Sequence, residues 1–217
     1  MRVQFVIAGF GFVALMSMAN AQIPEKRDLN LRGGRFKPLT YDQLTPDQKT
    51  MVEHLFAGER GGMNGPFNVL LRSPEMGDLA QKLGAQLRFH SALTAKQREL
   101  AIILTARDWA AQYEWTAHKR LALQAGIGQD VVDAIAAGKR PASLGPDEQP
   151  VYNFVTELLK TRQVSNAVFN AAKAKLGEKG VVDLTGLVTY YGFVSAMLNI
   201  DRYPLPEGAK PELKPLP

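Results

Sequence analysis

Apolar positions recur at helical spacing along most of the chain, which is typical of amphipathic α-helices. Capping residues followed by proline mark where two of these helices begin, at Thr45-Pro46 and Ser73-Pro74. No turn is flanked by alternating apolar residues, so strands are not expected. The pattern predicts helices at about 45–56, 73–90, 94–124, 129–137, 147–161, 166–176 and 181–200. We therefore expect an all-α fold, a single-domain helical bundle.

The segment 94–124 contains the residues that suggest chemistry. Thr94 and Gln97 form a capping box at its start, and no Gly or Pro interrupts it up to Gln124. Within it, Glu114 and His118 stand four residues apart, so their side chains share one face of a helix. A carboxylate beside an imidazole can move protons near neutral pH, although the same spacing also describes an ordinary surface ion pair.

A third titratable residue, Glu99, lies in the same segment. In one straight helix, Glu99 and His118 would lie roughly 28 Å apart at a rise of 1.5 Å per residue. Either the helix breaks near residues 110–113 and folds back, or Glu99 has another role, such as a first-turn carboxylate favoured by the helix dipole. The other two histidines, His54 and His90, have no partner at informative spacing, which predicts surface or structural roles.

Both ends of the chain differ in composition from the helical part. Residues 1–21 resemble a cleaved export signal, with Arg2, an apolar run over 3–16 and the small residues of Ala19-Asn20-Ala21. The apolar run is short for a membrane anchor, so we expect a periplasmic or secreted protein with no membrane attachment after cleavage. Residues 22–40 are predicted to be a flexible arm, 41–200 the helical domain and 201–217 a proline-rich tail.

Composition excludes several classes of function. The chain has no cysteine, so disulfides, thiolate metal sites and cysteine nucleophiles are excluded. Its formal net charge of +5 comes from scattered basic residues, without a basic run interleaved with aromatics, which argues against nucleic-acid binding. The mild positive excess favours solubility or a weak attraction for anionic small molecules.

Three short motifs resemble the carboxymuconolactone decarboxylase family, which includes the alkylhydroperoxidase D type proteins: Arg98-Glu99-Leu100, the stretch 113–118 (YEWTAH) and the stretch 125–127 (AGI). The resemblance implies an all-helical protein that assembles as trimers or hexamers. Members of the peroxidase type carry two cysteines that would fall at Ala111 and Glu114 here. Because both are absent, the resemblance points to the decarboxylase branch, with its Glu-x-x-x-His.

The resemblance implies a cofactor-independent acid–base enzyme, a decarboxylase or isomerase of a small carboxylated lactone or related carboxylate. Glu99, Glu114 and His118 are then the catalytic residues, with Glu99 brought to the histidine by hinged helices. The alternative is a non-catalytic ligand-binding protein on the same scaffold. We expect no metal, because di-iron bundles use paired Glu-x-x-His motifs, whereas this chain has a single motif with a different spacing.

Four residues are candidate substrate contacts. The glycine-rich loop 58–66 lacks the lysine of a phosphate-binding loop and is not expected to follow a strand. We expect its backbone to pass close to a pocket, placing Asn64 and Phe67 near a ligand. Tyr113 and Trp115 flank Glu114, although such aromatics are more often core or interface residues. The apolar helix predicted at 181–200 is expected to be buried or to form a homo-oligomer contact.

Overall fold

The computed structural model describes residues 29–214, and within them all regular structure is helical. The prediction of an all-α fold is confirmed. A short 3-10 turn at Tyr41–Gln43 precedes eight α-helices in this part of the chain: α1 Pro46–Ala57, α2 Phe67–Leu70, α3 Pro74–Phe89, α4 Ala95–Asp108, α5 Gln112–Gln124, α6 Gln129–Ala136, α7 Gln149–Thr161 and α8 Asn166–Asp201. The predicted export signal at 1–21 lies outside the described residues.

Side chains at the predicted caps fix the starts of α1 and α4. Thr45 accepts a hydrogen bond from the backbone of Gln48 at 3.3 Å, and Thr94 accepts one from Gln97 at 3.2 Å. The side-chain oxygen of each glutamine in turn accepts a hydrogen bond from the backbone N–H of its threonine, so backbone donors that would otherwise lack partners are satisfied. The two helices predicted at 166–176 and 181–200 both lie within α8, and the non-helical backbone of Gly177, where φ is 70°, forms the kink between them.

Helix α4 forms the centre of the fold, because α5, α6, α7 and α8 all pack against it. Its residues Leu100, Ile102 and Ile103 are fully buried although they point in different directions around the helix axis. A smaller apolar cluster joins α1 and α2 through residues such as Met51, Leu55 and Leu70. Burial of apolar area in these two clusters is the main stabilising force.

Both described chain ends are attached to the helical domain. In the predicted N-terminal arm, the backbone N–H groups of Arg35 and Phe36 donate to Asp201 Oδ1 at 2.9 and 2.7 Å. In the tail, Leu213 is buried, and its backbone exchanges two hydrogen bonds with the side-chain amide of Gln112 at 2.6 and 3.1 Å. The tail thus holds the first residue of α5.

Helix α8 is long and apolar enough to span a membrane by length and composition. However, 56% of its most apolar window is buried inside the protein, where it packs on α4 and α7. This burial explains why the helix is apolar on most sides, as expected for a core helix.

Candidate functional site

A tight turn between α4 and α5 decides which residues can meet. Ala110 adopts the left-handed conformation, with φ at 47°. Its N–H donates to Arg107 O at 3.0 Å, and the N–H of Ala111 donates to Ala106 O at 2.9 Å, which together end α4 in a Schellman motif. Asn199 on α8 donates to Trp109 O at 2.9 Å and fastens this turn to the core. The chain then folds back, so the hinged alternative for the segment 94–124 is confirmed.

The fold-back brings Glu99 on α4 to His118 on α5. Glu99 Oε2 lies 2.6 Å from His118 Nδ1, while Glu114 Oε1 lies 3.1 Å from Nε2 on the other side of the ring. All three side chains are buried. The structure therefore places the three predicted catalytic residues in one cluster, with each imidazole nitrogen facing a carboxylate.

Two opposing effects act on the pKa of His118. Burial lowers it, because the charged imidazolium loses its hydration. The hydrogen bonds and negative charges of Glu114 and of Glu99 outweigh that loss and raise the pKa of His118 from 6.5 to about 9. At neutral pH the buried ring is consequently an imidazolium between two acceptors.

Aromatic residues fix the surroundings of this ring. Tyr191 on α8 meets the His118 ring edge-to-face, with a centroid distance of 5.1 Å. Burial raises the pKa of the Tyr191 hydroxyl, so this residue stays neutral at physiological pH. The orientation of the His118 ring is thus fixed by the two carboxylates at its nitrogens and by the edge-to-face contact with Tyr191.

A cavity of about 370 Å³ opens beside His118. It lies where the glycine-rich loop, α3, α5 and α8 meet, and its size suits a small organic ligand. Glu114 and His118 line it, but Glu99 does not. The remaining lining residues are Arg60, Gly61, Gly62, Asn64, Gly65, Pro66, Phe67, Arg88, Tyr113, Ala117, Arg120, Leu121, Tyr190, Tyr191 and Val194.

Three of the four predicted substrate contacts, Asn64, Phe67 and Tyr113, lie in the wall of this cavity. Burial raises the pKa of Tyr113 to about 12, with smaller contributions from Tyr203 and Glu114. Trp115 is not part of the wall. It is fully buried and donates from Nε1 to Glu212 in the tail at 3.2 Å, which is the core role considered for it.

Sequence analysis did not identify the arginines of the cavity. Arg60, Arg88 and Arg120 line it, and none of them forms an ion pair with a carboxylate in the described part of the chain. In the sequence, the only signal for Arg60 is that it is a basic residue within the glycine-rich loop. The cavity therefore combines a buried proton-bearing cluster with positively charged walls, which attract anionic ligands.

No group of three or more histidine, aspartate or glutamate side chains in residues 29–214 has a geometry suited to a metal ion. The absence of a metal stays a prediction. Chemically, the residues present can hold an anion, orient it and exchange a proton with it.

The comparison with family models returns a match in the same region. The model described as the carboxymuconolactone decarboxylase family matches residues 74–157. This stretch runs from the start of α3 into α7 and contains Glu99, Glu114 and His118. No curated protein matches the chain.

Proposed function

Because residues 74–157 match the model of the carboxymuconolactone decarboxylase family, we propose that this protein is an acid–base enzyme that decarboxylates or isomerises a small carboxylated lactone or related carboxylate. It does so without a cofactor. The observation that carries the proposal is the buried His118 imidazolium, held between two carboxylates at the wall of a cavity with arginine side chains.

Loss of CO₂ from such a substrate breaks one carbon–carbon bond. The bonding electron pair moves into the conjugated lactone as an enolate or dienolate, and the departing carboxylate leaves as CO₂. A proton must then reach a carbon of this anion. His118 supplies that proton, and it regains one from solvent before the next turnover. Isomerisation uses the same residues. One carbon of the substrate first loses a proton to them, and another carbon then receives a proton from them.

The two glutamates have different roles in this proposal. Glu114 lines the cavity and faces His118 Nε2, so it can contact substrate and pass the proton between the ring and the ligand. Glu99 lies behind the ring, holds Nδ1 and keeps the imidazole protonated and oriented. Glu99 is therefore a positioning residue, whereas Glu114 and His118 are the catalytic residues.

The proposal does not include thiol peroxidase activity, because the sequence has no cysteine to be oxidised. By the family resemblance, Glu114 stands where the peroxidase type has its second redox cysteine. At that position, a carboxylate can accept or deliver a proton but cannot form a disulfide.

The test is release of CO₂ and the accompanying ultraviolet change on a panel of carboxylated γ-lactones. The wild type is compared with His118→Gln, which keeps a hydrogen-bond donor between the two glutamates. Turnover that disappears in this variant supports the proposal. Turnover retained in a correctly folded His118→Gln protein overturns it.

One observation favours a second candidate, a non-catalytic ligand-binding protein. Both nitrogens of His118 already face carboxylates, so the cluster can serve as a static charged wall. This candidate predicts tight retention of an anionic ligand with no chemical change to it. No turnover on any lactone, together with saturable binding of one of them, would favour it over the enzyme.

The proposal also covers the cellular location and the oligomeric state of the protein. The signal-like residues 1–21 support export to the periplasm or secretion, and the family resemblance supports a trimer or hexamer. Amino-terminal sequencing of the exported protein should begin at Gln22, and light scattering should give the oligomer mass. An uncut chain retained in the cytoplasm, or a monomer, would contradict these parts.

A further inference from the structure

Arg60 is the cavity arginine with the best-defined position. Its Nη2 donates to the Tyr190 hydroxyl at 3.1 Å, and its Nε donates to Gln81 O at 3.4 Å. Its guanidinium lies over the Phe67 ring, 5.5 Å from the centroid. These contacts come from α3, α8 and α2, so the guanidinium is held in one orientation although it belongs to a loop.

The backbone of α3 leaves space for this arrangement at Gly84. A Cβ at that position would overlap both Arg60 Nη2 and the Tyr190 hydroxyl. Any other residue in place of Gly84 would therefore displace the guanidinium, the Tyr190 hydroxyl or both. The glycine is required at this point by a close approach, since its own backbone is ordinary helix.

Arg60 has no carboxylate partner in the described part of the chain, and it is only partly exposed. Its two contacts occupy Nε and Nη2, which leaves donors on Nη1 for a ligand in the cavity it lines. A planar guanidinium in this state binds a carboxylate through charge-assisted hydrogen bonds. By contrast, Arg120 is exposed and donates to Gln124 on its own helix.

We propose that Arg60 binds the carboxylate that the substrate keeps in the product, and not the carboxylate that leaves as CO₂. This inference rests on the proposed decarboxylation. A departing carboxylate loses its negative charge in the transition state, so an arginine bound to it would stabilise the ground state more than the transition state. An arginine on the retained carboxylate stabilises both equally and fixes the reacting carbon beside Glu114 and His118.

Binding is tested first, with levulinate as the probe and its uncharged methyl ester as the control ligand. Levulinate carries a single carboxylate, which represents the group kept in the product. It has no second carboxylate that could leave as CO₂. It should bind the wild type, as monitored by the ring signals of His118, and about 10- to 100-fold more weakly to Arg60→Gln. Arg140→Gln, which removes one charge from an exposed site outside the cavity, should bind it within twofold of the wild type.

Two further variants separate position from charge. Arg60→Lys keeps the charge but loses the fork, so it should restore binding only partly. Gly84→Ala keeps every charge and disrupts the contact between Arg60 and Tyr190, so it should weaken the binding of levulinate more than that of the methyl ester. Equal affinity of levulinate for wild type, Arg60→Gln and Gly84→Ala, or no binding to the wild type, overturns the proposal.

Kinetics then distinguish the two carboxylates of a substrate that turns over. If Arg60 binds the retained group, Arg60→Gln raises KM and leaves kcat equal or lower. If it binds the departing group, kcat rises as KM rises, which would contradict the proposal. Arg60-dependent binding of levulinate without any lactone turnover would contradict the decarboxylase only. Turnover that is insensitive to Arg60 would contradict the inference only.

Discussion

All three histidines of the chain contact a carboxylate, but in two different surroundings. His90 Nε2 lies 2.6 Å from Glu59 Oε1, and His54 Nδ1 lies 3.0 Å from Asp78 Oδ2, on surfaces where the histidine side chains are 55% and 47% exposed. His118 Nδ1 also lies 2.6 Å from its carboxylate, yet its side chain is only 7% exposed. The distances are alike, and the difference lies in the surrounding medium.

Water weakens the two surface pairs, because it screens the charges and competes for their hydrogen bonds. At His118 burial reduces this competition, and a second carboxylate, Glu114, faces the other ring nitrogen. The buried ring therefore keeps its proton to about pH 9 and stands next to a cavity. A histidine–carboxylate distance alone does not identify a site; burial, a second acceptor and access to a ligand do.

The largest expected difference is in activity. His118→Gln should lower kcat about 10³-fold, because it removes the proton-bearing group. His54→Gln and His90→Gln should leave kcat within twofold of the wild type. Initial rates of CO₂ release measure all three. A loss of similar size in either surface variant would remove the distinction between the two environments.

The second difference is in the pH dependence of stability. The folded pKa of His118, about 9, lies above the unfolded value near 6.5. The resulting stabilisation is therefore fully present below about pH 6.5 and is lost as the pH rises through 9. Over that range the free energy of unfolding should fall by about 3 kcal/mol.

Urea unfolding at pH 6, 7.5 and 9.5 measures this fall. The double variant His54→Gln/His90→Gln should retain the fall, and His118→Gln should lose most of it. A wild type whose stability is flat across this range would contradict the assignment of a buried imidazolium.

Removing one carboxylate should leave His118 with a single carboxylate contact, as His54 and His90 have. Glu99→Gln takes away an anionic acceptor of His118, so the pKa of the ring should fall. The decline of kcat/KM at high pH should shift to lower pH, and kcat should drop about 10- to 100-fold. Glu59→Gln makes the same change beside His90 and should leave the pH profile as it is. An unshifted profile in Glu99→Gln would show that Glu99 has no positioning role.

The smallest effects are expected at the surface. His54→Ala and His90→Ala should each change the free energy of unfolding by less than about 0.5 kcal/mol, because exposed ion pairs contribute little. Thermal and urea unfolding at pH 6 and 8 check this. A cost above about 2 kcal/mol would mean that these two ion pairs contribute more than solvated surface contacts do.

Most helix boundaries follow from local signals in the sequence. The threonine caps, the prolines at first helical positions and Gly126 after α5 each act within a few residues. The break after α4 has no such signal. Ala110 and Gly126 end their helices with the same hydrogen-bond pattern. Because alanine rarely adopts a left-handed conformation, an alanine at position 110 does not predict a turn.

The functional site also contains some residues that local sequence patterns predict and others that they do not. The pair Glu114 and His118 follows from helical spacing, and the resemblance supplied Glu99. Arg60 was missed because its position depends on Gln81 and Tyr190, 21 and 130 residues away along the chain. Trp115, beside Glu114 in sequence, is fully buried and lies outside the cavity wall. Long-range packing decides these cases, and local patterns do not contain it.

The most direct test of the account is a titration of the three histidine rings by NMR, with each signal assigned from its own His→Gln variant. The account predicts that His118 titrates near pH 9 and that Glu99→Gln lowers this value. A pKa for His118 at or below 6.5 would mean that the ring is neutral at physiological pH. It would then have no proton to give, and the acid–base mechanism proposed for this cluster would be contradicted.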